Sequence, residues 1–464
     1  MKGNGISYTP LGGGREIGAS AYHLLFGSMS VLFDAGMRPQ GSDVYLNPGN
    51  IKAAQPNFDL VDDVHFIFVS HGHYDHCAAF MFARKKFPGA KAYMTIQTRE
   101  FCKMHLSDIA RRMKHSRDWR GAQPLFSEED VEKALSAAVL VKPIEHGGMA
   151  INLGYGLWAI PHHAGHMLGA ISVEFVYNER SVIFTGDISW TDQHFTRGAS
   201  HFTPHAPVAL LGTEATYLNT CFHEKDEDAR GDLVAATMET LRRGGNVLIP
   251  TLSINRAQEI WMDFYEQRDT IPISRVFLDG GTQRYFDIFK RYAYTPKAHL
   301  LRHAQFVPHG WSGRRWEKEF HRGQLLKQDE PFVVIASGAM LQEGSASYHW
   351  ADMLLPGKKN ALFFTSYLDP CSAGFELLQQ MKKDEEVIKL FGGESVRGCE
   401  VRRFNLSAHT DKHGTEAMIG RLDPDVVVFH HGDPKEVVPY LAQVGARDPN
   451  RGYFYPGTGE EVTL

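Results

Sequence analysis

Cysteine is scarce in this chain: five residues in 464, namely Cys77, Cys102, Cys221, Cys371 and Cys399, with no C-x-x-C pair among them. An odd, scattered set argues against a disulfide framework or a cysteine-based zinc ribbon, and reads as reduced thiols of a cytoplasmic protein. Long hydrophobic runs are missing too. None approaches the ~20 apolar residues that span a bilayer, so no membrane association is expected. Met1-Lys2-Gly3-Asn4-Gly5 leads into strand-like sequence without a signal-peptide pattern. Nor is there an excess of positive charge: 49 Lys and Arg against 54 Asp and Glu leave −5. That balance argues against a uniformly basic nucleic-acid coat, though a local groove can still be positive. Internal repeats, heptads and low-complexity linkers are absent. Gly12-Gly13-Gly14 has neither the Lys-Ser/Thr tail of a P-loop nor G-x-G-x-x-G spacing, and reads as a tight turn.

What the chain does have is histidine, 24 residues, several of them clustered. Its hydrophobic content of 43% and charged content of 22% are those of an ordinary globular protein, and its length favours two or three domains. Short strands and turns occupy residues 6 to about 60, and a strand, loop and helix follow at 63–86. A mainly helical stretch covers 97–137, its last helix opened by a capping box at Ser127-Glu128-Glu129-Asp130. Strands return at 139–143, 150–160, 170–177 and 181–185. From about 213, helices such as Arg256–Glu266 alternate with buried strands such as Asn246–Pro250, which implies a parallel sheet flanked by helices. The last 65 or so residues revert to strands carrying histidines, with one helix near 434–444.

The densest chemistry lies in Ser70-His71-Gly72-His73-Tyr74-Asp75-His76, directly after the apolar run His65-Phe66-Ile67-Phe68-Val69. Three imidazoles and a carboxylate at the end of a buried strand are costly without a metal. His71 and His73 alternate along an extended segment and share a face. Asp75 and His76 follow a turn, where a helix beginning near Cys77 presents them to a second ion. Further candidates stand at other strand ends beside small residues: His166 in Ala164-Gly165-His166-Met167-Leu168-Gly169, Asp187 after Ser181–Gly186, His409 in Leu406–Asp411, and His430 with His431 after Asp425–Phe429. His162 and His163 compete with His166, and His430 competes with His431, because spacing alone does not choose between them.

These motifs resemble those of metallo-β-lactamase-fold nucleases of the β-CASP group, similar to the pre-mRNA 3′-end cleavage endonuclease and its bacterial and archaeal relatives. The H-x-H-x-D-H cluster marks the superfamily. The group is marked by Gly212-Thr213-Glu214-Ala215-Thr216-Tyr217, Asn255-Arg256-Ala257-Gln258-Glu259, Ser407-Ala408-His409-Thr410-Asp411 and His431-Gly432. The resemblance implies an α/β fold: a metallo-β-lactamase αββα sandwich in two parts, 1–212 and 398–464, with a β-CASP α/β domain inserted at 213–397. It further implies two Zn²⁺ per chain, one held by His71, His73 and His166, the other by Asp75, His76 and His431, with Asp187 bridging and Asp34 supporting the ligands. Asp75, Glu214 and His409 form the catalytic set, with His409 as general acid and Glu214 holding its tautomer.

By the same resemblance the activity is zinc-dependent endoribonuclease action, with room for 5′-exonuclease action. The substrate is single-stranded RNA, because relatives with a histidine at the last motif resemble RNA enzymes. A homodimer or an RNA-processing complex is compatible with it, and the chain reads as a minimal catalytic core. Arg284, Lys290 and Arg291 among Tyr285, Phe286 and Tyr292, and Arg314 and Arg315 between Trp311 and Trp316, are mixtures able to stack bases and pair phosphates. Ala339, Leu368, Cys371 and Phe375 depart from the family pattern at positions that bear on substrate and 5′-phosphate recognition. Two other classes stay open: a catalytically inactive RNA-binding scaffold, which would be expected to lose ligands, and a small-ester or thioester hydrolase, which would not need Glu214, His409 and the inserted domain.

Overall fold

The computed structural model describes residues 5–38, 48–115, 123–199, 203–221, 226–308, 313–383, 387–390, 393–396 and 398–464. They form two compact units, Met1–Cys221 with Ala408–Leu464, and Phe222–Ser407. The limits therefore fall later than 212/213 and 397/398. The strand Val208–Glu214 pairs in parallel with Val426–His430 as far as Glu214 opposite His430, and Tyr217 still bridges Asp411, so this stretch stays with the first unit.

Two seven-stranded sheets build the first unit. Edge to edge, one runs Val462–Thr463, Ile6–Gly12, Ala21–Phe26, Met29–Phe33, Phe66–Phe68, Lys91–Thr95 and Val139–Val141. The other runs Gly452–Phe454, Val426–His430, Val208–Glu214, Arg180–Phe184, Ile171–Tyr177, Leu157–His163 and Ile151–Gly154. Side chains alternate along a strand, so a strand apolar at every position feeds two cores. Phe66 and Phe68 point between the sheets, where Phe68 stacks on Tyr93 and meets Phe175 of the other sheet edge-on at 5.3 Å. Ile67 packs the opposite way, with Phe80, Cys102, Leu106 and Val131 of the flanking helices. In the second sheet Val182, Phe184, Leu210 and Val428 face inward, while Ile183, Leu211, Val427 and Phe429 pack outward with Met418, Ile419 and Tyr440. The result is the αββα sandwich expected from the motifs.

The helices carry one success and one miss of the local signals. Ser127 and Asp130 cap Glu128–Ser136 reciprocally, as the sequence predicts. The helix Lys412–Leu422 goes unpredicted, since Gly414, Thr415 and Gly420 lower its intrinsic propensity. Asp411 starts it by accepting from the Gly414 N–H, and burial of Met418 and Ile419 holds it to the sheet.

The second unit is built on a parallel sheet in the order Gln305–Phe306, Val276–Asp279, Val333–Ser337, Val247–Thr251, Ala361–Phe364 and Glu400–Arg403. Its core holds Leu248, Val334, Trp350 and Phe364. Asp279 is buried there, its Oδ2 accepting from Arg322 Nε and Trp350 Nε1, each at 2.7 Å. Of the aromatic–basic mixtures, Tyr285 and Phe286 are buried, Trp316 is 61% exposed, and Trp311 lies outside the described residues. Among the described residues, no helix is long and apolar enough to cross a membrane.

Candidate metal centre

Parallel pairing brings the candidate residues together, all in the first unit. Phe33 pairs with Phe68, Phe184 with Gly212, and Glu214 with His430. Asp34, His71, Asp187, Glu214 and His431 therefore leave the carboxyl ends of neighbouring parallel strands, the usual place for a site in an open sheet. The backbone there is locally strained: Asp34 and His431 take φ of 66° and 49°, conformations that cost non-glycine residues energy. Gly36 is obligatory, because a Cβ would run into the Asp75 carbonyl. The helix carrying Asp75 and His76 is a single turn, Tyr74–Cys77, starting before them rather than at Cys77.

Nitrogen lone pairs converge in the first cluster. His73 Nδ1 lies 3.2 Å from His71 Nε2 and 3.0 Å from His166 Nε2. The far sides of two of these rings fix their tautomers. His166 Nδ1 is 2.8 Å from the Ala408 carbonyl and must donate to it. Ser70 Oγ gives its proton to Asp34 Oδ2 at 2.8 Å, so at 2.9 Å it accepts from His71 Nδ1. Both Nε2 atoms of the neutral rings are then bare acceptors aimed at His73. Burial favours that state, holding His71 and His73 well below the usual histidine range and His166 at about 4. The separations are close to the ~3.3 Å edge of a tetrahedron with metal–nitrogen bonds of ~2.0–2.1 Å.

Asp187 joins this cluster to a second. Its Oδ2 is 3.6 Å from both His71 Nε2 and His166 Nε2, and its Oδ1 is 3.2 Å from His76 Nε2 and 3.4 Å from His431 Nδ1. Neither oxygen has a hydrogen bond of good geometry among the described residues, although the carboxylate is 1% exposed. Asp75 Oδ2 lies 3.1 Å from His431 Nε2 and completes the second group with His76. Burial alone would raise the Asp187 pKa, but His431, His76 and His409 hold it well below the carboxylate range. His76 is held well above its usual range against burial, by Asp187 and by Asp34, which accepts from His76 Nδ1 at 2.7 Å. A proton on His76 and a cation between these groups answer the same demand for positive charge. The donor set fits two divalent cations sharing one carboxylate.

Beside them stands a histidine–carboxylate pair. His409 Nδ1 is 2.8 Å from Glu214 Oε2 and 3.9 Å from Asp187 Oδ2. Burial works against its charge, yet Glu214 and Asp187 outweigh it and hold the ring at about 9, protonated at neutral pH. Glu214 Oε1 also accepts from the Ile188 N–H at 2.8 Å, which fixes the backbone next to Asp187.

Residues 19–216 match the metallo-beta-lactamase superfamily, and residues 257–377 match the Beta-Casp domain. The chain carries a metallo-beta-lactamase domain and a Beta-Casp domain. Its relatives include Integrator complex subunit 11 of Gallus gallus, 27% identical over 99% of this chain and 74% of the relative. Cleavage and polyadenylation specificity factor 73 of Drosophila melanogaster is 27% identical over 93% and 60%. Endoribonuclease ysh1 of Schizosaccharomyces pombe is 25% identical over 96% and 56%. The chain thus spans little more than half the length of the last two. A protein of unknown function from Enterococcus faecalis V583 shares the fold, with a TM-score of 0.58 at 15% identity over 99% of this chain and 100% of that one.

Within the metallo-beta-lactamase domain the competing histidines go elsewhere. His162 donates from Nδ1 to Glu145 at 3.0 Å and from Nε2 to Glu174 at 3.2 Å, and Glu174 also accepts from His205 Nδ1 at 2.8 Å. His162, Glu174 and His205 sit close enough to hold an ion, and among the described residues Glu174 also accepts from Ser181 Oγ and the His205 N–H. The His430 ring is buried against Phe184 and Tyr22, where burial holds it neutral at about 3. Three partners escape the sequence reading: Ser70, the Ala408 carbonyl, and Thr216, whose hydroxyl touches both Glu214 and His431. Ser70 stands beside the first histidine, and Thr216 and Ala408 within quoted motifs, but nothing in their spacing names the atoms they touch. His409 and His431, named from their motifs, lie beyond both matched spans, and the fold brings them to Glu214 and Asp75.

Proposed function

We propose that this protein is a metal-dependent endoribonuclease that hydrolyses phosphodiester bonds of single-stranded RNA. The observation that carries this reading is Asp187, which turns one oxygen to each of two nitrogen-rich clusters next to the His409–Glu214 pair. The names of the relatives, among them an endoribonuclease and a cleavage factor, point to the same chemistry. His71, His73 and His166 would hold one cation, Asp75, His76 and His431 the other, and Asp187 both. Zinc is the metal we propose, since imidazole and carboxylate donors suit it. Two such cations, when bound, supply an acidified water and neutralise charge at the reacting phosphorus.

The chain's own groups then have defined tasks. His409 carries on Nε2 the proton that the departing sugar oxygen takes as its bond to phosphorus breaks. Glu214 accepts from Nδ1, keeps the ring in register and stabilises its charge, the arrangement expected of a tuned general acid. RNA-processing assemblies in the cytoplasm are the proposed setting.

The test is cleavage of internally labelled single-stranded RNA by purified protein, with chelator and after zinc is restored. Internal cuts that vanish with chelator and return with zinc are expected. A metal-loaded protein that binds RNA without cutting it would be a scaffold, and one that cuts only small esters a different hydrolase. Either result overturns the proposal.

A further inference from the structure

Thr216 stands between the histidine–carboxylate pair and the second cluster. Its Oγ1 lies 2.5 Å from Glu214 Oε2, 3.2 Å from His431 Nδ1 and 3.3 Å from the His431 carbonyl oxygen. A hydroxyl has one proton to give and lone pairs to accept with. The short contact to an ionised carboxylate takes that proton, because charge-assisted hydrogen bonds are the shorter and stronger ones. Toward His431, Oγ1 is then an acceptor, and Nδ1 must carry the hydrogen. That leaves His431 Nε2 as the lone pair, the atom that faces Asp75 Oδ2 at 3.1 Å. One hydroxyl thereby selects the ring nitrogen presented to the second cluster.

We propose that Thr216 is a positioning residue, which fixes the His431 tautomer for metal binding and ties that ligand to the Glu214–His409 pair. The inference rests on the two-metal reading of the site. A continuous chain runs from His431 Nδ1–H to Thr216 Oγ1, from Thr216 O–H to Glu214, and to Glu214 from His409 Nδ1–H. Groups that hold the outer nitrogen of a ligating histidine change metal affinity or activity by about 10–100-fold when removed. Here the same group also steadies the carboxylate that orients the acid. Metal affinity and turnover therefore respond to Thr216 together.

The experiment compares wild type, Thr216→Val and Thr216→Ser. Valine keeps the shape and removes the hydroxyl, and serine keeps the hydroxyl. Each zinc-loaded protein is titrated with chelator and its retained metal counted by elemental analysis; RNA cleavage and melting of the metal-free form are measured alongside. Expected for Thr216→Val is release of one of the two metals at about 10–100-fold less chelator, with slower cleavage and unchanged metal-free melting. Thr216→Ser should match wild type. Wild-type metal retention in Thr216→Val overturns the proposal, as does Thr216→Ser losing metal like the valine variant, which would make the methyl group responsible. Should valine lower the metal-free melting point as well, the serine variant decides in the same way. A wild type that holds two metals yet cuts no RNA refutes the nuclease reading, while the chelator titration still judges Thr216.

Discussion

His409 and Glu214, 195 residues apart in the chain, meet through Nδ1 and both carboxylate oxygens at 3.0 and 2.8 Å. The contact turns a histidine that burial would neutralise into one that holds its proton at neutral pH. Removing the ring should therefore remove an acid and leave the ligands in place. His409→Ala is expected to keep its metal and lose about 10²–10⁴-fold in turnover. Single-turnover RNA cleavage with parallel metal analysis checks both, and normal cleavage would remove His409 from the mechanism.

Asp187 is the group both clusters share. Asp187→Ala should lose metal from both, read by elemental analysis after dialysis against a weak chelator. A variant that retains two ions per chain would contradict the bridging role.

His162 and His166 give a contrast within five residues. The His162 nitrogens are engaged by Glu145 and Glu174, whereas His166 Nε2 faces His73 and Asp187. His166→Gln should lower metal content and His162→Gln should not, although the latter loses two buried hydrogen bonds and should melt earlier. The reverse pattern would reassign the first cluster.

The Glu174 network predicts a pH signature in stability. Burial opposes ionisation of Glu174, but hydrogen bonds from His162, Ser181 and His205 outweigh it and bring the group from 4.5 to about 2. A depressed carboxyl stabilises the fold above its unfolded pKa, and the contribution, on the order of 3 kcal/mol, drains away between about pH 4.5 and 2. His162 shifts the other way: burial is outweighed by Glu145 and Glu174, so its contribution is full below pH 6.5 and is lost as pH rises through its raised value. In chemical denaturation, the stability gap between wild type and Glu174→Gln should narrow as pH falls from 4.5 toward 2. A constant gap would mean that Glu174 does not carry the charge assigned to it.

Much of the site is legible in the sequence where its chemistry is local. His71 to His76 form one turn of chain after one strand, so spacing alone announces them. The partners are harder, because sheet pairing brings them in from far away. His166 and His431 had to be separated from His162, His163 and His430 by resemblance, and only the fold shows which rings face Asp187. The supporting contacts from Ser70, Thr216 and the Ala408 carbonyl have no spacing rule at all. They depend on where the ends of adjacent strands fall. The helix Lys412–Leu422 is hidden for a related reason, since tertiary burial and an aspartate cap override a poor intrinsic propensity.

The meeting of Asp75 with His431, 356 residues apart, has a consequence for how the molecule assembles. Bringing those ends together costs loop-closure entropy, and it waits on the long-range pairing of Val426–His430 with Val208–Glu214, so the second cluster should form late in folding. His431 is also fastened through its backbone N–H to the Gly13 carbonyl at 2.7 Å, which draws the opening turn of the chain to its closing segment. An ion bound there would act as a clasp between the two ends, adding stability in proportion to the logarithm of its concentration over its dissociation constant. Withdrawing it should lower the melting point of the sandwich as a whole, since the segment after the second unit supplies Val426–His430, Gly452–Phe454 and Val462–Thr463 to its two sheets.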